Sequence, residues 1–243
     1  MINYKIPLSI IFTIVILGSL ALPVFAENYN PGLAVGQYVK YGDFVGSGQG
    51  FETFNDYGFL QLQVIGVSGK DVTLLSTGQF KNGTALPGNG TTNVWNIETG
   101  TEDGTPSTQG PIIATNLNQA DEIPPPGTYF VNQTESRTYL GYSRLVNILI
   151  VEINTSDYNS TLTYVYDKLS GMILESSTQT VTQSEPQPVT STYSYSVIET
   201  NIFNATTTPS NIQPTLYIGF AVGLIFVAVT VGIILIKRRR AHS

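Results

Sequence analysis

From Leu216 to Ile236 the chain carries no charged residue, and Lys237-Arg238-Arg239-Arg240 follows at once. At about 1.5 Å per helical residue this run is about 30 Å long, the thickness of a bilayer's hydrocarbon core. One transmembrane helix is expected over 215–236, with the basic tail 237–243 held on the cytoplasmic side because translocating it is costly. The start of the chain agrees with this. Lys5 precedes an apolar run from Ile6 to Leu22, and Val24 and Ala26 stand where a signal-peptide cleavage needs small residues. Residues 1–26 therefore read as a secretory signal cut before Glu27, with an uncleaved N-terminal anchor as the alternative. A single-pass protein of the cell membrane follows, with residues 27 to about 214 outside the cell. Gly219 and Gly223, with Ala228 and Gly232 at the same spacing, would let two such helices approach closely, so helix–helix self-association is a further expectation.

The external part is acidic. All 17 acidic residues fall between Glu27 and Glu199, against Lys40, Lys70, Lys81, Lys168, Arg137 and Arg144. Such a domain repels nucleic acid, which is excluded as a partner. The chain has no cysteine, and its one histidine, His242, lies in the tail. Thiolate and imidazole nucleophiles and metal sites are thereby removed from the external domain. No metal or cofactor is expected.

Between the ends, apolar and polar residues alternate, and no sustained 3.6-residue stripe occurs. The fold class expected is mainly β: an antiparallel sandwich or a strongly curved, half-barrel-like sheet, plus the C-terminal transmembrane helix. In residues 36–45 Val39 and Tyr41 share one face and Tyr38 and Lys40 the other. Residues 58–67 and 71–80 flank Ser68-Gly69-Lys70, a hairpin signal. In "TLTYVYDKLSGMILES", Asp167 can cap a turn and Gly171 can take the left-handed backbone that follows it. The last strand, from Val189, sets Tyr193, Tyr195 and Val197 on one face. The β domain thus spans 27–203, with a Gly-, Asn-, Thr- and Pro-rich excursion at 81–127 carrying one or two short strands. Residues 204–214, "NATTTPSNIQP", form a polar stalk.

Six N-x-S/T sequons, at Asn82, Asn89, Asn132, Asn154, Asn159 and Asn204, all fall in the external part and predict a sugar-coated surface. Asp157-Tyr158-Asn159 opens like a calcium loop, but the sixth position is not Gly and the twelfth is Lys168, so a turn is expected there. Glu98, Glu102, Asp103, Asp121 and Glu122 could in principle supply a hydrolase's carboxylate pair, although no motif designates a nucleophile or base. Trp95 could stack on a sugar or partner, but anchoring its loop to the core is the favoured role. Arg137 and Arg144 pose a sharper choice. A two-residue turn at Leu140-Gly141 would place them directly opposite each other, and two cations on one face imply an anion or carboxylates between them. Leu-Gly is a poor two-residue turn, so a strand running through Gly141 is expected. It would put the arginines on opposite faces, each paired with a carboxylate.

"VGQYVKYGDF" (35–44), "IIATNLNQADEI" (112–123), "VNQTESRTYLGYSRLVN" (131–147) and "YVYDKLSGMILESS" (164–177) resemble segments of a group of uncharacterised archaeal surface proteins with a signal, a β-rich domain and a C-terminal anchor. The resemblance implies location and fold class and names no site residue. Two functional classes follow from the residues. The first is a displayed, non-catalytic surface glycoprotein that binds an envelope protein or glycan or builds the envelope. The second is a carrier of an apolar ligand or lipid in a curved-sheet cavity. A carrier requires a concave apolar face left unfilled, whereas a structural domain fills it. Stalk and anchor favour display.

Overall fold

The computed structural model describes residues 29–48, 50–107, 110–125, 127–183 and 187–204. The expected signal, most of the expected stalk, the expected membrane span with Gly219 and Gly223, and the basic tail lie outside the described residues. No helix among those residues is long and apolar enough to cross a membrane.

The protein is mainly β. Eleven strands form one antiparallel sheet that does not close into a barrel, in the order β6-β5-β4-β3-β2-β1-β13-β12-β11-β10-β9. Their ranges are β1 Tyr38–Ser47, β2 Tyr57–Ser68, β3 Asp71–Phe80, β4 Thr91–Asn96, β5 Thr101–Glu102, β6 Thr105–Pro106, β9 Gln133–Tyr139, β10 Tyr142–Asn154, β11 Tyr158–Asp167, β12 Ile173–Thr182 and β13 Val189–Thr200. A separate ribbon pairs β7 Glu122–Ile123 with β8 Tyr129–Phe130. The strands share one hydrogen-bonded sheet, so the two-sheet sandwich is not the architecture adopted.

Every neighbour in the large sheet is also a neighbour in sequence, apart from β1 and β13. Two meanders are therefore joined where the domain's first long strand meets its last, with Tyr41 opposite Val197 and Gly46 opposite Tyr193. Asn201 reinforces the seam by accepting the Tyr38 N–H at 2.9 Å and donating to the Gly36 carbonyl at 3.1 Å. The predicted alternation holds across it: Val39 and Tyr41 are buried and Tyr38 and Lys40 half-exposed.

Both expected hairpins form. Between β2 and β3 the turn is Gly69-Lys70, with Gly69 at φ 60° in the first central position that a type II′ turn reserves for glycine. Between β11 and β12, Asp167 accepts the Ser170 N–H and Gly171 sits at φ 77°. A Cβ on Gly171 would lie 2.0 Å from the Ile113 carbonyl oxygen, so glycine is required there for space as well as for φ. The close approach lets residues 111–116 pair with the turn: Ile113 N–H donates to the Gly171 carbonyl and Asn116 N–H to that of Lys168. The excursion over 81–127 thus carries, among the described residues, four short strands where one or two are expected: β4 to β6 extend the sheet edge and β7 joins the separate ribbon, while the chain between β6 and β7 returns to the β11–β12 turn.

The expectation of a strand running through Gly141 is overturned. Leu140 and Gly141, at φ 52° and φ 83°, form a two-residue turn between β9 and β10, and Arg137 stands directly opposite Arg144. Positive φ at both central residues is the type I′ pattern, which suits strand twist. Leucine pays roughly 1–2 kcal/mol for its left-handed backbone. Cross-strand contacts offset this, including the Ser136–Ser143 hydroxyl bond at 2.9 Å and the carboxylates that hold both arginines.

Candidate functional site

Two clusters occupy opposite faces of the sheet. On the face shared by Tyr41, Leu62, Leu74, Trp95, Tyr164 and Tyr195, side chains from β1 to β5 and β11 to β13 line one cavity of about 270 Å³. In a flat sheet β5 and β11 would stand about 33 Å apart. That both reach one cavity means the sheet is bent around it.

The residues packed against two of the cavity's aromatic rings are placed by local chemistry. Asn55, in the 3-10 helix Glu52–Asp56, accepts the Gly46 N–H at 3.0 Å and donates to the Gly46 carbonyl at 2.6 Å, so it mimics a strand partner. Gly46 has no room for a side chain, because a Cβ would lie 1.8 Å from the Phe51 carbonyl oxygen. This clamp lays Phe54 flat on Tyr193, with centroids 4.9 Å apart and planes 8° apart, and brings Phe51 to 5.0 Å from the same ring. On the other side Gly110 sits against the Trp95 ring, and its carbonyl accepts the Tyr166 hydroxyl at 3.0 Å.

One wall of the cavity is apolar, with Leu60, Leu62, Leu74 and Trp95, and the facing wall carries Tyr164, Tyr193 and Tyr195. Tyr164 is opposite Ser176, and Ser176 is opposite Tyr195; Thr178 stands beside Tyr193 in the next row. The Tyr164 and Thr178 hydroxyls are buried without a hydrogen-bond partner among the described residues. Leaving such a group unmatched costs about 1–3 kcal/mol. Burial pushes Tyr195 up to about 12, raises Tyr164, and holds Tyr41 and Tyr166 well above the usual phenol range. Since these phenols ionise at higher pH in the folded than in the unfolded chain, the stability they lend is complete below about pH 10 and falls as pH rises beyond it. Urea midpoints are therefore expected to hold to about pH 10 and to drop from there towards about pH 12. A constant midpoint would contradict this placement of the tyrosines.

The second cluster contains both arginines. Register puts Glu135, Arg137, Arg144, Asp167 and Glu175 on the face opposite the cavity. Arg144 grips Asp167 with two bonds of 2.8 Å and lies over the Phe203 ring, 4.8 Å from its centroid. Asp167 Oδ2 also accepts from the Ser170 N–H and hydroxyl, so the fully buried carboxylate is well satisfied. Arg137 bonds Glu135 at 2.6 Å and Glu175 at 3.2 Å, and Glu175 accepts the Tyr139 hydroxyl at 3.0 Å. Burial, aided by Glu175, pushes Tyr139 up to about 12. Three carboxylates face two guanidinium groups, leaving no surplus positive charge for an anion. The cluster fastens the β9–β10 hairpin to β11 and β12.

Trp95 is buried in the core on β4 and also lines the cavity, so anchoring and site-lining coincide in one side chain. Asn82, Asn89, Asn132, Asn154 and Asn159 are exposed, and Asn154 and Asn159 stand opposite each other across the β10–β11 hairpin. Asn204 ends a short 3-10 helix, Ile202–Asn204. The residues around Asp157 form the turn of that hairpin, with Thr155 Oγ1 bonded to the Tyr158 backbone. Glu102 is the one carboxylate on the cavity lining among the described residues, where it accepts from Asn93. Asp103 caps the Val94 N–H, Asp121 that of Asn118 and Glu122 that of Gly127. These are turn-forming bonds, and they leave Glu102 without a facing second carboxylate.

The opposing tyrosines were missed as site residues by sequence reasoning. Alternation did place Tyr193 and Tyr195 on one face. The pairing of that face with Trp95 depends on curvature, which alternation does not encode. Compared with protein-family models and with curated proteins, the sequence matches none of them.

Proposed function

We propose that this chain is a single-span, N-glycosylated cell-surface protein, akin to the archaeal surface group named above, whose half-barrel-like β domain binds a small ligand without catalysis. The cavity, lined by Tyr164 with its unmatched hydroxyl, carries this reading, because a face built only for stability would have been filled or would have paired that group. Two details speak against a lipid carrier. The volume of about 270 Å³ falls just under the range of about 300–1,000 Å³ usual for ligand pockets, and one wall is lined with phenols.

Native mass spectrometry of the full-length protein in nanodiscs tests the binding. The expected result is a small retained mass that disappears in Ser76→Phe, a substitution that fills the cavity from β3 while the fold persists by circular dichroism. A retained lipid-sized mass would return the reading to a carrier. Display at the surface has its own test. Enzymatic deglycosylation of the native protein is expected to lower and sharpen its gel band, and protease added to intact cells should digest the β domain while sparing a C-terminal epitope tag. An unchanged band or a protected domain would refute that part.

A further inference from the structure

Resting on the binding reading above, we infer that the cavity takes an uncharged pyranose ring, free or at the end of a glycan chain. Trp95 and the leucines of β2 and β3 offer an apolar wall, and the facing wall includes Tyr164, whose buried hydroxyl lacks a partner among the described residues. A pyranose has both matching surfaces: a C–H face for the ring stack and hydroxyls at its edge for the unmatched Tyr164 group. An apolar chain would cover that hydroxyl without bonding it. An anion would meet Glu102, the charged side chain on the lining, with no cation beside it.

Size agrees. At about 30 Å³ per water the cavity holds roughly nine waters, room suited to the roughly dozen non-hydrogen atoms of one pyranose. The stack of Phe54 on Tyr193, a cavity residue, continues the aromatic surface outward, where a second ring of a glycan chain would lie.

Saturation-transfer NMR on the full-length protein in nanodiscs tests this with neutral methyl glycosides of the gluco, galacto and manno series. The comparison probes are a methyl glucuronide as the charged twin, 1-octanol as the apolar probe, and an oligosaccharide ending in whichever sugar binds. Binding of at least one neutral glycoside, without the glucuronide, is expected. The oligosaccharide binds more tightly than its methyl glycoside if a glycan chain is the source, and equally if the source is a free sugar. Tyr164→Phe should weaken the glycoside roughly tenfold while raising the melting temperature, a pair of effects that a purely structural tyrosine would not give. Octanol binding without any glycoside, or a glycoside indifferent to Tyr164→Phe, overturns the pyranose assignment and leaves the binding reading standing. If no probe binds and Ser76→Phe changes no retained mass, both fall.

Discussion

Arg144→Ala is expected to cost about 3–5 kcal/mol, close to the whole stability of a marginal domain. Its partner Asp167 is fully buried, and the Arg144 side chain is itself only 12% exposed. Removing the guanidinium leaves a carboxylate in a dry interior with the bonds from Ser170 alone, and also removes the cation from the face of Phe203. Arg144→Lys should recover only part of the loss, because an ammonium cannot reproduce two parallel bonds. Arg137→Ala supplies the internal contrast. Arg137, Glu135 and Glu175 are each about a third exposed, so its ion pairs are screened and worth about 0–1 kcal/mol. Urea denaturation of the two alanine variants checks this directly. Equal losses would mean that the two cross-strand arginines share one role, contrary to their burial.

That contrast also marks what was legible in the sequence. Alternation located the long strands, and the two turns with glycine in a demanding position were recognised from their residues. The paired carboxylates of the arginines were anticipated from the scarcity of positive charge. Which face each arginine occupies was not, because the choice rested on local turn preference. Leu140 is a poor residue for a left-handed backbone, and residues distant in sequence compensate it: Asp167 and Glu175 hold Arg144 and Arg137 from β11 and β12. A local rule lost to tertiary contacts that a single hairpin does not contain.

The cavity was illegible for a different reason. Its two walls come from the two meanders, and they face each other only because β1 pairs with β13 and the sheet bends. Hydrophobic periodicity states which residues share a face of one strand and is silent on curvature. The excursion over 81–127 reads as loop-rich with only one or two short strands because its apolar patches are brief, yet β4 presents Trp95 to the interior, Gly110 sits against its ring, and Pro111 and Ile113 meet the β11–β12 turn. Glycine at 110 and 171 permits both approaches, and neither could be assigned a partner from spacing alone.

Trp95→Ala is expected to destabilise by about 3–5 kcal/mol, the range for truncating a buried large aromatic. The consequence for the site should be as large. Trp95 lines both the main cavity and a small neighbouring void of about 20 Å³ bounded by Ile97, Ile112, Ile123 and Leu149. Without the indole the two spaces merge, and the added wall is aliphatic. The variant should therefore lose any ligand that stacks on the indole and gain affinity for apolar probes, turning the site towards the behaviour expected of an apolar-ligand carrier. Trp95→Phe keeps part of the partition and should fall between the two. Urea midpoints give the stability term, and titration with a hydrophobic dye gives the cavity term. A variant that lost the stability without taking up more dye would show that the core collapses into the space, and that Trp95 holds the loop without dividing the cavity.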